Sequence, residues 1–145
     1  MTIRKMLVGL LLLHGVGFLC AAQQVEIQKV PIKHVSSASG REMYVAYCAA
    51  CHGKEGRGDG PAVKALKATP TDLTALTKNH KGTFPEMHVY NTIIGDADMP
   101  AAHGEKDMPV WGNMFLSLCG ANPPVAEVHQ RVRNITKYVE SLQKN

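Results

Sequence analysis

Cys48-Ala49-Ala50-Cys51-His52 is the stretch on which the reading of this chain turns. Two thiols stand about one helical turn apart, and an imidazole follows directly. Paired cysteines at this spacing serve as a redox dithiol, as half of a zinc site or, with a trailing His, as an attachment point for a c-type haem. A redox dithiol expects a strand-helix-strand surround, and a zinc site expects a second ligand pair at comparable spacing. The sequence carries neither context. Attachment of one haem c is therefore the leading reading: each thiol adds to a vinyl group, and His52 supplies one axial ligand to the iron.

Working back from the motif, Met43, Tyr44 and Tyr47 fall at helical spacing and predict a short helix from Gly40 to the cysteines, with Ser39 as its N-cap. Working forward, Gly53, Gly56, Gly58 and Gly60 with Pro61 read as a tight loop, followed by a helical turn over residues 62–67. Pro70, Thr71 and Asp72 punctuate the chain before residues 73–76. Thr83 and Pro85 resemble a helix start, with Met87, Tyr90, Ile93 and Ile94 as the apolar stripe and Gly95 as the stop. Residues 95–113 read as an extended loop carrying Met99, Met108 and Trp111. Val125, Val128, Val132, Ile135, Val139 and Leu142 then line one face of a long helix, with Gln130, Arg131, Arg133 and Lys137 opposite. With no repeat and no strand pattern, the class is all-α.

The sixth iron position decides between electron transfer and binding of external molecules. Met99 and Met108 both lie in the Gly/Pro-rich loop and both precede proline. A thioether from either favours ferrous iron. His103 is a weaker candidate.

Over residues 40–142 the chain resembles the class I c-type cytochromes, the mono-haem cytochrome c family of bacteria. In that family a short helix runs into Cys-x-x-Cys-His and a Gly-Pro dipeptide follows, the place taken here by Gly60-Pro61. The resemblance implies that the Pro61 carbonyl accepts a hydrogen bond from the far nitrogen of His52 and fixes the ring. Turn-making is its other role, and the two can hold together. The segment from His103 through Met108-Pro109-Val110-Trp111-Gly112 resembles the sixth-ligand loop of a bacterial subgroup, which implies Met108 as the ligand and leaves Met99 as the alternative. The family fold implies a small helical bundle of about four to five helices around one covalent haem. Gly40, Tyr44, Ile135 and Tyr138 are spaced for the crossing of its terminal helices, and Tyr47, Leu73, Ile94, Trp111 and Phe115 for its haem-pocket walls.

At 145 residues the chain has room for one domain and a leader. Arg4 and Lys5, the apolar residues 7–19 and the small residues ending at Ala22 predict a signal peptide over residues 1–22. An uncleaved anchor is the alternative, although the run is short for a span and His14 interrupts it. Leu19 before Cys20 argues against a lipid site. Residues 23–38 read as a flexible arm and residues 39–145 as the cytochrome domain. Losing the leader takes the net charge from +4 to +2, with no basic cluster, which argues against nucleic-acid binding. Cys119 is assigned no function. His34, His80, His88 and His129 read as surface residues.

The first functional expectation is a one-electron carrier in an exported, periplasm-like chain, docking transiently with redox proteins at the haem edge and needing no catalytic residue. Membrane contact would come only through an uncleaved leader or a partner complex. A dedicated cytochrome subunit of an exported dehydrogenase or terminal oxidase is the alternative. A haem enzyme or gas sensor with an open distal site is the third.

Overall fold

A computed structural model describes residues 34–95, 108–118 and 124–144. Helix α1 spans Gly40–Tyr47, α2 Ala49–His52, α3 Leu76–Asn79, α4 Glu86–Ile94, α5 Trp111–Leu118 and α6 Val125–Ser141, with 3-10 turns at Val63–Ala65 and Leu73–Ala75. Among the described residues there is no strand, in keeping with the all-α class. Two of these helices, α2 and α3, are single turns of four residues. Among the described residues no helix is long and apolar enough to cross a membrane.

Helix α1 begins where its cap dictates: Ser39 Oγ accepts from the amide of Glu42 at 3.2 Å, and Glu42 places a carboxylate in the first turn. The helix then crosses α6. Gly40 makes that crossing close, because a Cβ on it would stand 2.0 Å from the carbonyl oxygen of Asn134. Tyr44 meets Tyr138 with ring centroids 5.1 Å apart. Met43, Tyr44, Val132 and Ile135 are buried at the centre of the core.

Helix α6 also receives α4 and α5. Val128, Val132, Ile135 and Val139 are buried as their period predicts, while Val125 at the open first turn is 62% exposed. Arg131 departs from the expected polar face. Its guanidinium is buried, donates to Glu127 Oε1 at 2.9 Å and to the carbonyl of Val35 at 3.1 Å, and lies 6.0 Å from the Phe115 ring centre. The position borders the apolar stripe, and the chain before α1 folds over it. Asn134 Nδ2 likewise donates to the carbonyl of Ser37 at 2.7 Å. Residues 35–37, expected in the arm, are thus bonded into the folded unit.

In α4 the buried pair is Val89 and Ile93, and Met87 is 66% exposed, so the inward face is turned from the predicted stripe. Gly95 ends the helix in the left-handed region, at φ 82°. Its missing side chain also admits Val110, whose Cγ1 would lie 2.2 Å from a Cβ there. Trp111, expected within the loop, opens α5.

Candidate cofactor-binding site

Among the described residues the helical core leaves a large cleft of about 1230 Å³, a volume that includes open solvent. Cys48, Cys51 and His52 line it from the junction of α1 and α2, and Met108 lines it from the segment before α5. The rest of the lining is mainly apolar, from Leu66, Leu73 and Leu76 to Ile93, Ile135 and Val139.

The motif is positioned by backbone bonds. Helix α1 passes into α2 through Cys48, whose amide donates to the Tyr44 carbonyl at 2.8 Å and whose own carbonyl accepts from His52 at 2.9 Å. Both cysteines are free thiols. Burial pushes the Cys48 thiol up to about 12, reinforced by Cys51, and burial raises Cys51 as well. Both shifts favour the protonated thiol over the thiolate.

The His52 ring is half-buried, and its Nδ1 lies 3.2 Å from the backbone carbonyl of Thr71. Nδ1 must carry the proton to donate to that carbonyl, which leaves Nε2 as the basic atom. Burial lowers the pKa of His52, opposed by the Thr71 bond. A neutral imidazole with one nitrogen held by a carbonyl is the form that ligates a metal.

In this structure Nδ1 thus pairs with the Thr71 carbonyl, where the resemblance implies the carbonyl of Pro61. Gly58, Gly60 and Ala62 donate to the carbonyls of His52, Cys51 and Ala50 at 2.9, 3.1 and 2.9 Å, folding the glycine loop back along α2. That carries Pro61 to a separate recess beside Ala49 and Ala50. Leu73 meanwhile donates to Gly56 at 2.7 Å and draws residues 70–73 toward His52. Gly58 permits the approach, since a Cβ there would lie 2.4 Å from the Pro70 carbonyl oxygen.

Tyr47, Leu73 and Trp111 line the cleft as expected. Ile93 takes the place expected of Ile94. Phe115 stands behind the wall, fully buried and packed on Tyr47 and Trp111 with centroids 5.5 and 5.6 Å away. Met108 is 37% exposed at the rim. Met99, His103 and Cys119 lie outside the described residues.

Two histidines read as surface residues are engaged in the fold. His129 Nδ1 is hydrogen-bonded to the Tyr90 hydroxyl between α4 and α6. His88 lines the cleft beside Val89, Thr92 and Ile93. The pairs 88/92 and 89/93 share one helical face, a signal present in the sequence but masked by weighting only apolar residues.

The donor set tests the cofactor reading on chemical grounds. One apolar cleft gathers two free thiols, a neutral imidazole and a thioether, which suits a flat apolar macrocycle holding a metal. Among the described residues no group of three or more His, Cys, Asp or Glu could hold a bare metal ion. The cleft residues fit a haem.

Residues 36–102 match a family model described as cytochrome C oxidase, cbb3-type, subunit III. A curated protein of Nocardioides sp. (strain ATCC BAA-499 / JS614), described as "Putative hydro-lyase", is 34% identical over 79 residues, which are 54% of this chain and 27% of that protein. The chain thus spans about a quarter of the length of that relative. No solved structure matches the chain significantly. Residues 36–102, which run from the segment before α1 through the cysteine motif and α4, belong by this match among the c-type cytochromes, whose implied cofactor is covalently bound haem.

Proposed function

We propose that the chain is a mono-haem, one-electron carrier of an exported electron-transfer chain, with thioethers at Cys48 and Cys51 and the axial pair His52 and Met108. The observation that carries this reading is the convergence of Cys48, Cys51, His52 and Met108 on one apolar cleft. The haem supplies the redox-active iron. Cys48 and Cys51 tether it, and the Thr71 carbonyl orients His52. The apolar lining excludes water, which keeps reorganisation small as an electron passes. A thioether at the sixth position leaves no open coordination site, so no substrate has to reach the metal.

The match to an oxidase-subunit family supports a second reading of the same chemistry, a cytochrome with a fixed partner such as a terminal oxidase or an exported dehydrogenase. The two differ in partner lifetime, which purification of the native protein resolves.

The test is an optical spectrum of the oxidised, haem-loaded chain near the far-red edge, in wild type, Met108→Ala and Met99→Ala. A weak sulfur-to-iron band in wild type that vanishes only in Met108→Ala supports the proposed ligand. Loss only in Met99→Ala moves the ligand to Met99 and keeps the carrier. High-spin iron without the band in wild type favours the enzyme or sensor.

A further inference from the structure

Just past α6, one side chain joins that helix to the wall of the cleft. Gln143 Nε2 donates to the Leu73 carbonyl at 2.7 Å and to the Val139 carbonyl at 2.8 Å, and its Oε1 accepts from the Thr77 amide at 2.9 Å. Each bond meets a need of the backbone. Thr77 lies in the first turn of α3, where amides have no partner within the helix and the cap residue Ala75 offers no side-chain acceptor. Val139 lies in the last turn of α6, where carbonyls run out of helical donors. Gln143 thus caps two helices and holds the Leu73 carbonyl between them.

Leu73 is gripped from both sides. Its carbonyl accepts from Gln143, and its amide donates to the Gly56 carbonyl at 2.7 Å. Lys144 adds a backbone bond to the Thr74 carbonyl at 3.1 Å, and Leu142 packs over Gly56, where a Cβ would lie 3.1 Å from its Cδ1. The bonds from Asp72 Oδ1 to the Thr74 amide and hydroxyl make residues 72–74 a stiff turn. A displacement at Leu73 is therefore passed to Thr71, whose carbonyl meets His52 Nδ1 at 3.2 Å.

We propose that Gln143 is a positioning residue for His52, an inference that rests on the haem reading above. It is not among the cleft-lining residues, and it acts by setting the place of the Thr71 carbonyl through Leu73. An imidazole whose Nδ1–H is held by a carbonyl is the more basic ligand, which favours ferric iron. Without the Gln143 amide, residues 71–77 lose their side-chain tie to α6, the Thr71 carbonyl moves off the ring proton, and the equilibrium shifts toward ferrous iron.

The experiment compares the haem-loaded full chain as wild type, Gln143→Met, Gln143→Asn and Arg131→Lys. Methionine keeps the length and neutrality of the side chain and makes none of the three bonds; asparagine keeps the amide but is too short to span them. Arg131→Lys loosens α6 away from this end without a change of charge. Nuclear magnetic resonance follows hydrogen exchange of the His52 ring N–H, and a redox titration at one pH gives the ferrous-to-ferric ratio. In Gln143→Met the ring proton is expected to exchange about twofold faster or more, and the ratio at a given solution potential to rise by a similar factor. Gln143→Asn changes in the same direction, and Arg131→Lys changes neither. Either readout at its wild-type value in Gln143→Met, or in Gln143→Asn if the methionine variant does not fold, overturns the proposal. An equal response in Arg131→Lys overturns it too, because general loosening then accounts for the effect. Failure of the haem reading itself would appear earlier, as wild-type chain without covalently attached haem, and failure of His52 as ligand as a ring N–H without a hyperfine shift in the ferric state.

Discussion

The phenol of Tyr44 donates to the backbone carbonyl of Gly53 at 2.8 Å, so a fully buried ring of α1 anchors the residue that directly follows His52. Tyr44→Phe keeps the ring and leaves that carbonyl without its donor. The expected loss is about 1–3 kcal/mol, the usual cost of an orphaned buried acceptor. Chemical denaturation of the haem-loaded chain measures it, and an unchanged midpoint would show that the bond contributes nothing.

Gly40 tests the helix crossing. A methyl group there would sit 2.0 Å from the Asn134 carbonyl, a main-chain atom of a packed helix that cannot swing aside as a side chain can. Gly40→Ala is expected to cost about 1–3 kcal/mol despite alanine's better helix propensity. Thermal unfolding followed by circular dichroism should show a lower midpoint; a rise would mean that α1 and α6 separate without penalty.

Arg131 joins Glu127, the Val35 carbonyl and the Phe115 ring. Arg131→Met keeps the apolar stem but strips donors from a carboxylate and a carbonyl, for an expected loss of about 1–3 kcal/mol. Limited proteolysis within residues 34–38 should accelerate in the same variant. Arg131→Lys should recover only part of the loss, because one ammonium cannot reproduce the planar fork.

Asp72 gives the chain an acid-sensitive element. Its Oδ1 accepts from the Thr74 hydroxyl at 2.7 Å and the Thr74 amide at 2.9 Å. The Thr74 hydroxyl above all holds the carboxyl below its ordinary range; burial opposes it, and the Thr74 amide, with Lys144 and Arg57 at longer range, adds to the lowering. Because the folded value lies below the unfolded one, the stabilisation is present above the ordinary carboxylate value near 3.8 and fades as pH falls through the folded value. Asp72→Ala is expected to cost about 0.5–1 kcal/mol at neutral pH, in line with lost caps. Its unfolding midpoint should converge with that of wild type in acid. A constant offset down to the lowest pH would assign the effect to packing.

Features with a local period were readable from the chain. The Ser39 cap, the α1 face of Met43, Tyr44 and Tyr47 and the α6 stripe from Val128 to Val139 each depend on residues within a few positions of one another, and each occurs as expected. What escaped depends on non-local geometry. Thr71 lies nineteen residues beyond His52 and reaches it only because Gly56 and Gly58 draw the chain back, and no period encodes that return. Arg131 was misplaced for a different reason: it borders the apolar face, and only the folding of residues 35–37 over it decides that it is covered. Ile93 and Ile94 differ by one helical step of about 100°, less than the resolution of a four-residue stripe. His88 faces the cleft as a polar residue, and an apolar period carries no signal for it.

The bonds that tie residues 35–37 to α6 carry a mechanical consequence. Val35 and Ser37 offer their carbonyls to Arg131 and Asn134, immediately upstream of the capped start of α1. Tension applied to the chain ahead of these residues, by a tether or an anchored neighbour, would load those two hydrogen bonds first and then the crossing of α1 with α6. The loop that presents Thr71 to His52 lies downstream, outside that line of force. Pulling on the amino-terminal side would therefore strain the back of the bundle before it disturbed the imidazole.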